Sequence, residues 1–124
     1  MRALSYDPSN IFARILRGEI PCKKVFEDDH VLAFHDINPQ TPTHILVIPK
    51  GAYVSFDDFS ERASAEEIAA FVRAAGRIAR EAGLDAPGYR ILSNIGRNGH
   101  QEVPHLHLHI FGGRPLGRMI SKAE

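Results

Sequence analysis

The chain has 124 residues, with 15 Lys+Arg against 15 Asp+Glu, and this zero formal charge argues against an electrostatic nucleic-acid or membrane-surface binder. The length suits one domain, and no apolar run approaches a membrane span. The single cysteine, Cys22, has no partner for an internal disulfide, and Met1 to Asn10 carry no signal-peptide pattern, so a cytoplasmic protein is expected.

Asp7-Pro8 predicts a helix start, an N-cap candidate followed by a proline whose missing N–H does no harm there. Ile11, Phe12, Ile15 and Leu16 give that helix an apolar face, and Gly18 is its expected stop. Val25-Phe26 reads as a short strand, Asp28-Asp29 as a turn, and Val31 to Asp36 as a second strand. A loop with two prolines, Asn38 to Pro42, leads to a third strand, His44 to Ile48. Gly51 to Arg62 is ambiguous, with a turn of helix around Phe56 and Phe59. Ser64-Ala65-Glu66-Glu67 is a capping box, and Ile68, Phe71, Val72, Ala75, Ile78 and Ala79 form the stripe of a long helix that Gly83 closes. Tyr89 to Ile95 reads as a fourth strand, and Gly96 to Glu102 as a glycine-containing loop. The tail from Pro115 to Glu124 carries weak signals. Short connections favour antiparallel pairing, so the expected fold is α+β: about five strands with the helices on one face.

His105-Leu106-His107-Leu108-His109-Ile110-Phe111 would be the fifth strand. A period of two puts Leu106, Leu108 and Ile110 on one face and His105, His107 and His109 on the other, roughly 6.5 Å apart along the chain. Spacing alone leaves three readings open. Alternating imidazoles can converge on Zn²⁺, although two reach one ion more easily than three and no cysteine partner lies nearby. A neutral imidazole can also act as a nucleophile on phosphorus, if one nitrogen is held as a donor and the other presents its lone pair. The third reading is a purely structural row. The loop Asn98 to Val103 runs directly into the row and offers backbone N–H groups for an anion, with Gly99 free to take an unusual backbone angle.

The row resembles the motif of the histidine triad (HIT) family. The likeness extends in order through Asn10-Ile11-Phe12, Gly18 to Pro21, Phe34 to Ile37, Pro42 to Lys50, Gly88-Tyr89-Arg90 and Gly112-Gly113-Arg114, about residues 9 to 114 of a single domain over 1–124. It is similar to the Hint branch of purine nucleoside phosphoramidases. The resemblance implies a HIT-like fold, a five-stranded antiparallel sheet with one long and one short helix, and a homodimer that joins two sheets into one of ten strands. It implies that His107 takes up a nucleoside monophosphate while the His105 carbonyl holds its Nδ1–H. His109 would meet the phosphate or leaving group, and His44 and His105 would join the network behind. Asn94 and the segment Gln101-Glu102-Val103 would bind phosphate oxygens. Ile11, Phe12, Ile20, Phe34 and Ile37 would sandwich a purine, with His35 beside them, and Asp36 would accept from both ribose hydroxyls. No cofactor or metal is implied. Glu102 stands where eukaryotic relatives have a serine, so its backbone N–H is expected to serve with the carboxylate turned away. The expected activity is hydrolysis of purine nucleoside 5′-phosphoramidates or acyl and aminoacyl adenylates. The alternatives are a dinucleoside polyphosphate hydrolase and a nucleotide-binding interaction protein.

Overall fold

A computed structural model describes residues 5–120; the ends of both termini, 1–4 and 121–124, lie outside the described residues, and with them the last part of the expected tail. The order is α1 (Ile11–Leu16), β1 (Lys24–Glu27), β2 (Val31–His35), β3 (Thr43–Pro49), α2 (Phe56–Arg62), α3 (Ala65–Glu81), β4 (Arg90–Leu92) and β5 (Leu108–Gly112). The strands form one antiparallel sheet in the order β1-β2-β3-β5-β4, so the histidine-bearing strand lies inside the sheet and β4 at its edge.

Local chemistry sets the element ends. Asn10, not Asp7, caps α1 by accepting from the Ala13 N–H at 2.9 Å. Asp28 Oδ1 accepts from the N–H groups of His30 and Val31 and turns β1 into β2. Both α2 and α3 begin with complete capping boxes, Ser55 with Asp58 and Ser64 with Glu67. The segment that looked ambiguous is thus a second short helix. No helix among the described residues is long and apolar enough to cross a membrane.

The helices do not all pack on one face. Phe59, Phe71, Ala74, Ala75, Ile78 and Ala79 from α2 and α3 cover Val31, Ala33, Ile45, Val47, Leu106 and Ile110. Phe12 of α1 packs on the opposite face, against Leu32, Phe34, Leu46 and Ile48. Alternate residues of β2 and β3 are therefore buried on opposite sides, which explains their uninterrupted apolar runs.

Two strands are shorter than expected. The fourth shrinks to three residues, and the ladder of the fifth starts at Leu108 rather than His105. Upstream of it the backbone finds other partners. The His105 N–H donates to the Val103 carbonyl at 2.9 Å and the Leu106 N–H to the Tyr53 carbonyl at 2.8 Å. The Ser93 hydroxyl donates to the His107 carbonyl at 2.8 Å, in place of a ladder bond. The alternation survives: Leu106 and Ile110 are buried in the α3 core, while His105 and His107 face α1.

Candidate active site

A cavity of about 430 Å³ opens on the α1 side of the sheet. Register explains its floor. Phe34 pairs with Leu46, Leu46 with His109 and His109 with Leu92, so these side chains share one face across four strands. The cavity is lined by Ile11, Phe12, Ile20, Phe34, His35, Asp36, Ile37, Asn94, Glu102, Val103, His107 and His109 among the expected residues, and also by Ile15, Cys22, Leu46 and His100. His105, His44 and Gln101 are not in the wall. His105 is wholly buried behind it and His44 is buried beside His109. A larger cavity of about 620 Å³, between the C-terminal end of α3 and the tail, contains no histidine.

Gln101 is a brace. Its Oε1 accepts from the Gly96 N–H at 3.0 Å, and its Nε2 donates to the carbonyls of Val54 and Val103 at 2.6 and 3.0 Å. With its side-chain amide so engaged, Gln101 fixes the loop. The left-handed residues of this loop are Gly96 and His100, with φ of 66° and 56°, not Gly99. Gly99 is needed for another reason: a Cβ there would sit 2.5 Å from the Ile95 carbonyl oxygen. The Glu102 side chain is 79% exposed, with a carboxylate oxygen 3.7 Å from His100 Nε2.

Fixed donors and acceptors assign the neutral histidine tautomers. His107 Nδ1 lies 2.7 Å from the His105 carbonyl, which can only accept, so Nδ1 carries the proton and Nε2 the lone pair. The backbone N–H of Gln40 donates to His44 Nδ1 at 3.1 Å, so His44 carries its proton on Nε2. That Nε2–H donates to His109 Nδ1 at 2.9 Å, and Asp36 Oδ2 lies 3.5 Å away. His109 must then hold its own proton on Nε2. Of the two triad histidines in the cavity wall, one offers a lone pair and the other an N–H.

Burial keeps these rings neutral. It pushes His105 and His109 down to about 4, with the neighbouring His107 adding to the effect in both. It also lowers His107, opposed by the bond to the His105 carbonyl and by the charges of Asp36 and Glu102. Desolvation is the principal cause of the His107 shift. His44 is lowered by burial against the pull of Asp36.

Asp36, His44 and His109 offer three potential ligand atoms within 4.8 Å of one another. The donor set does not suit a cation. A metal on His44 would need the Nε2 lone pair, and the Gln40 N–H already fixes the proton there. The three atoms make a hydrogen-bond relay instead.

A family model, the HIT domain, matches residues 17–116. The chain belongs to the HIT family. It is 70% identical over 120 residues to an uncharacterised 13.2 kDa HIT-like protein of Azospirillum brasilense, covering 97% of this chain and 98% of that one. It is 44% identical over 111 residues to the purine nucleoside phosphoramidase of Escherichia coli K12, covering 90% and 92%. Among solved structures, a HIT family hydrolase from Legionella pneumophila superposes with a TM-score of 0.80 at 43% identity, over 86% of this chain and 95% of that one. A histidine triad protein from Clostridium difficile does so at 0.78 and 44%, over 89% and 95%.

Tyr6, which precedes the residues matched by the HIT domain, was not expected from the sequence. Its hydroxyl lies 2.6 Å from His105 Nδ1, and no local pattern links two residues so far apart in the chain. The Gln40 main chain was not expected either, since a backbone donor leaves no residue-type signal.

Proposed function

We propose that this HIT protein is a hydrolase that splits purine nucleoside 5′-phosphoramidates, together with acyl and aminoacyl adenylates, to the nucleoside monophosphate. The observation that carries the reading is the 2.7 Å bond from His107 Nδ1–H to the His105 carbonyl, which leaves Nε2 as a nucleophile in the wall of a nucleotide-sized cavity. The Nε2 lone pair attacks phosphorus and the phosphorus–nitrogen bond to the leaving amine breaks. The leaving nitrogen departs as the amine with a proton taken from solvent, and His109 Nε2–H stays in place as a hydrogen-bond donor to it. Water then attacks phosphorus, the bond to His107 breaks, and the water's proton passes to solvent. The similarity to the E. coli phosphoramidase supports the same chemistry.

The apolar walls Ile11, Phe12, Ile20, Phe34 and Ile37 suit the faces of a purine, and Asp36 suits the ribose. Asp36 Oδ1 accepts from the Asn38 N–H at 2.8 Å, so the carboxylate is held in place while its side chain remains 20% exposed. Asp36→Asn should weaken ribonucleotide binding by about 1.5–3 kcal/mol for each charged hydrogen bond lost. It should barely change affinity for 2′,3′-dideoxy analogues; equal losses for both sugars, read by calorimetry, would reduce Asp36 to a turn residue.

A panel of AMP–amine conjugates, acyl adenylates and dinucleoside polyphosphates at defined enzyme concentration tests the reading. Phosphoramidates should turn over fastest. Preference for the polyphosphates would move the chain to that activity, and stoichiometric binding without turnover would make it an interaction protein. The reaction should survive exhaustive chelation, because the relay leaves no metal ligand set; loss on chelation with recovery on Zn²⁺ would refute this.

We also propose a homodimer. The edge strand β4 leaves Ile91 54% exposed, and Val72 of α3 is 63% exposed. Edge pairing in a second copy would cover an otherwise open ladder. Sedimentation at micromolar concentration should give twice the chain mass; a monomer would refute it.

A further inference from the structure

We propose that Tyr6 is a positioning residue for the nucleophile, an inference that rests on the hydrolase reading of His107. The His105 ring is 0% exposed and both its nitrogens are engaged. Nε2 lies 2.9 Å from the Pro49 carbonyl, which can only accept, so the ring proton is on Nε2 and Nδ1 carries the lone pair. The Tyr6 hydroxyl must therefore be the donor in its 2.6 Å contact with Nδ1. The two rings also meet edge to face, with centroids 5.5 Å apart.

The His105 carbonyl, on the same residue, holds His107 Nδ1–H. Tyr6 and Pro49 thus clamp the His105 ring from opposite nitrogens, and the clamped residue supplies the acceptor that aims the nucleophile. Tyr6 is itself anchored. Its neighbour Asp7 bonds Ser9 through its carboxylate and Asn10 through its carbonyl, and the Arg17 guanidinium donates to the Pro8 carbonyl at 2.8 Å. The segment before α1 is therefore tied to the helix that carries Phe12, whose ring packs edge to face on His107 at 4.9 Å.

Without the Tyr6 hydroxyl, His105 Nδ1 would be a buried acceptor with its partner gone. A ring in that state shifts or repacks, and a displacement of tenths of an ångström at His107 is enough to slow an in-line attack. Tyr6 does not line the cavity, so the loss should fall on the chemical step and not on binding.

The test is Tyr6→Phe in the full chain, read by steady-state kinetics on an AMP–amine conjugate and by ¹⁵N NMR of labelled histidines. In the wild type, His105 Nδ1 should resonate as a hydrogen-bonded acceptor, and His107 should show a protonated Nδ1. In Tyr6→Phe the His105 Nδ1 signal should move to the value of a free lone pair, and the His107 Nδ1–H signal should move with it. The turnover number should fall roughly tenfold with KM within about twofold. An unchanged turnover number, or an unchanged His107 signal, overturns the proposal. If Tyr6→Phe does not fold, the wild type decides: a His105 Nδ1 resonance typical of an unbonded lone pair overturns it. A wild type that turns over no conjugate refutes the hydrolase reading instead, and the NMR comparison then judges Tyr6 alone.

Discussion

Asparagine at position 107 should abolish turnover by several orders of magnitude and leave nucleotide binding in place. The side chain of His107 is buried against Phe12, and asparagine is small enough to enter without displacing that ring. It has no lone pair able to attack phosphorus and leave again, so the two-step route closes entirely. Mass spectrometry of wild-type enzyme quenched during turnover should show one added nucleoside monophosphate, acid-labile as phosphorus–nitrogen bonds are, and His107→Asn should show none. An adduct mapped to His105 or His109, or full activity in the variant, would end the assignment. His105→Ala is a different experiment from the one the motif suggests. The resemblance puts the His105 carbonyl on the nucleophile and its ring in the network behind, so His105→Ala would be expected to cost less turnover than loss of His107. The structure makes the ring a buried brace between Tyr6 and Pro49, and its removal orphans both partners. The variant should lose stability first.

Acid should destabilise the fold in a window set by the histidines. His105 and His109 are neutral in the folded protein down to about pH 4, while in the unfolded chain they take up protons near 6.5. Below pH 6.5 the unfolded state therefore binds more protons, and stability falls with pH. Their contribution is fully present above about 6.5 and is lost progressively as pH falls toward 4. The two rings share His107 as a cause, so their effects overlap; the loss is on the order of several kcal/mol at pH 4. A typical domain has about 5–15 kcal/mol in all. Carboxylates do not produce this window. Glu27 is held at about 2 by Lys24 and Lys50, and Asp58 and Glu67 lie below their ordinary values, so those groups act at lower pH. Urea melts at pH 7, 5.5 and 4.5 should show a falling midpoint, and His109→Asn should flatten the trend. A midpoint constant across that range would refute the account.

Much of the scaffold is legible in local chemistry. The capping box at Ser64, the Asp28 turn and the alternation of Leu106, Leu108 and Ile110 each announce themselves within a few residues. The placement of α1 is less plain, yet a signal exists. Val31 to Phe34 and Ile45 to Ile48 are apolar without alternation, and a sheet covered on one face only would alternate. The triad and the cavity walls follow from the motif. What joins them does not. The Gln40 N–H that orients His44, the Tyr6 hydroxyl behind His105 and the Gln101 brace all act across loops or long separations, where residue type says nothing about partner. Gly99 shows the limit at one position: its identity suggests freedom of rotation, and its use is room for the Ile95 carbonyl.

Phe12, Phe34 and Leu46 belong both to the core beneath α1 and to the cavity wall. That core is therefore continuous with the cavity: these side chains are only 4–7% exposed, yet they form a wall against which a further aromatic ring would fit. A purine slid between these side chains would act as the missing interior residue, delivered from outside. In the proposed purine complex, ligand capture and tertiary packing would draw on the same contacts, and occupancy would stiffen the α1 half of the molecule more than the α3 half, which Phe71 and Ile78 seal.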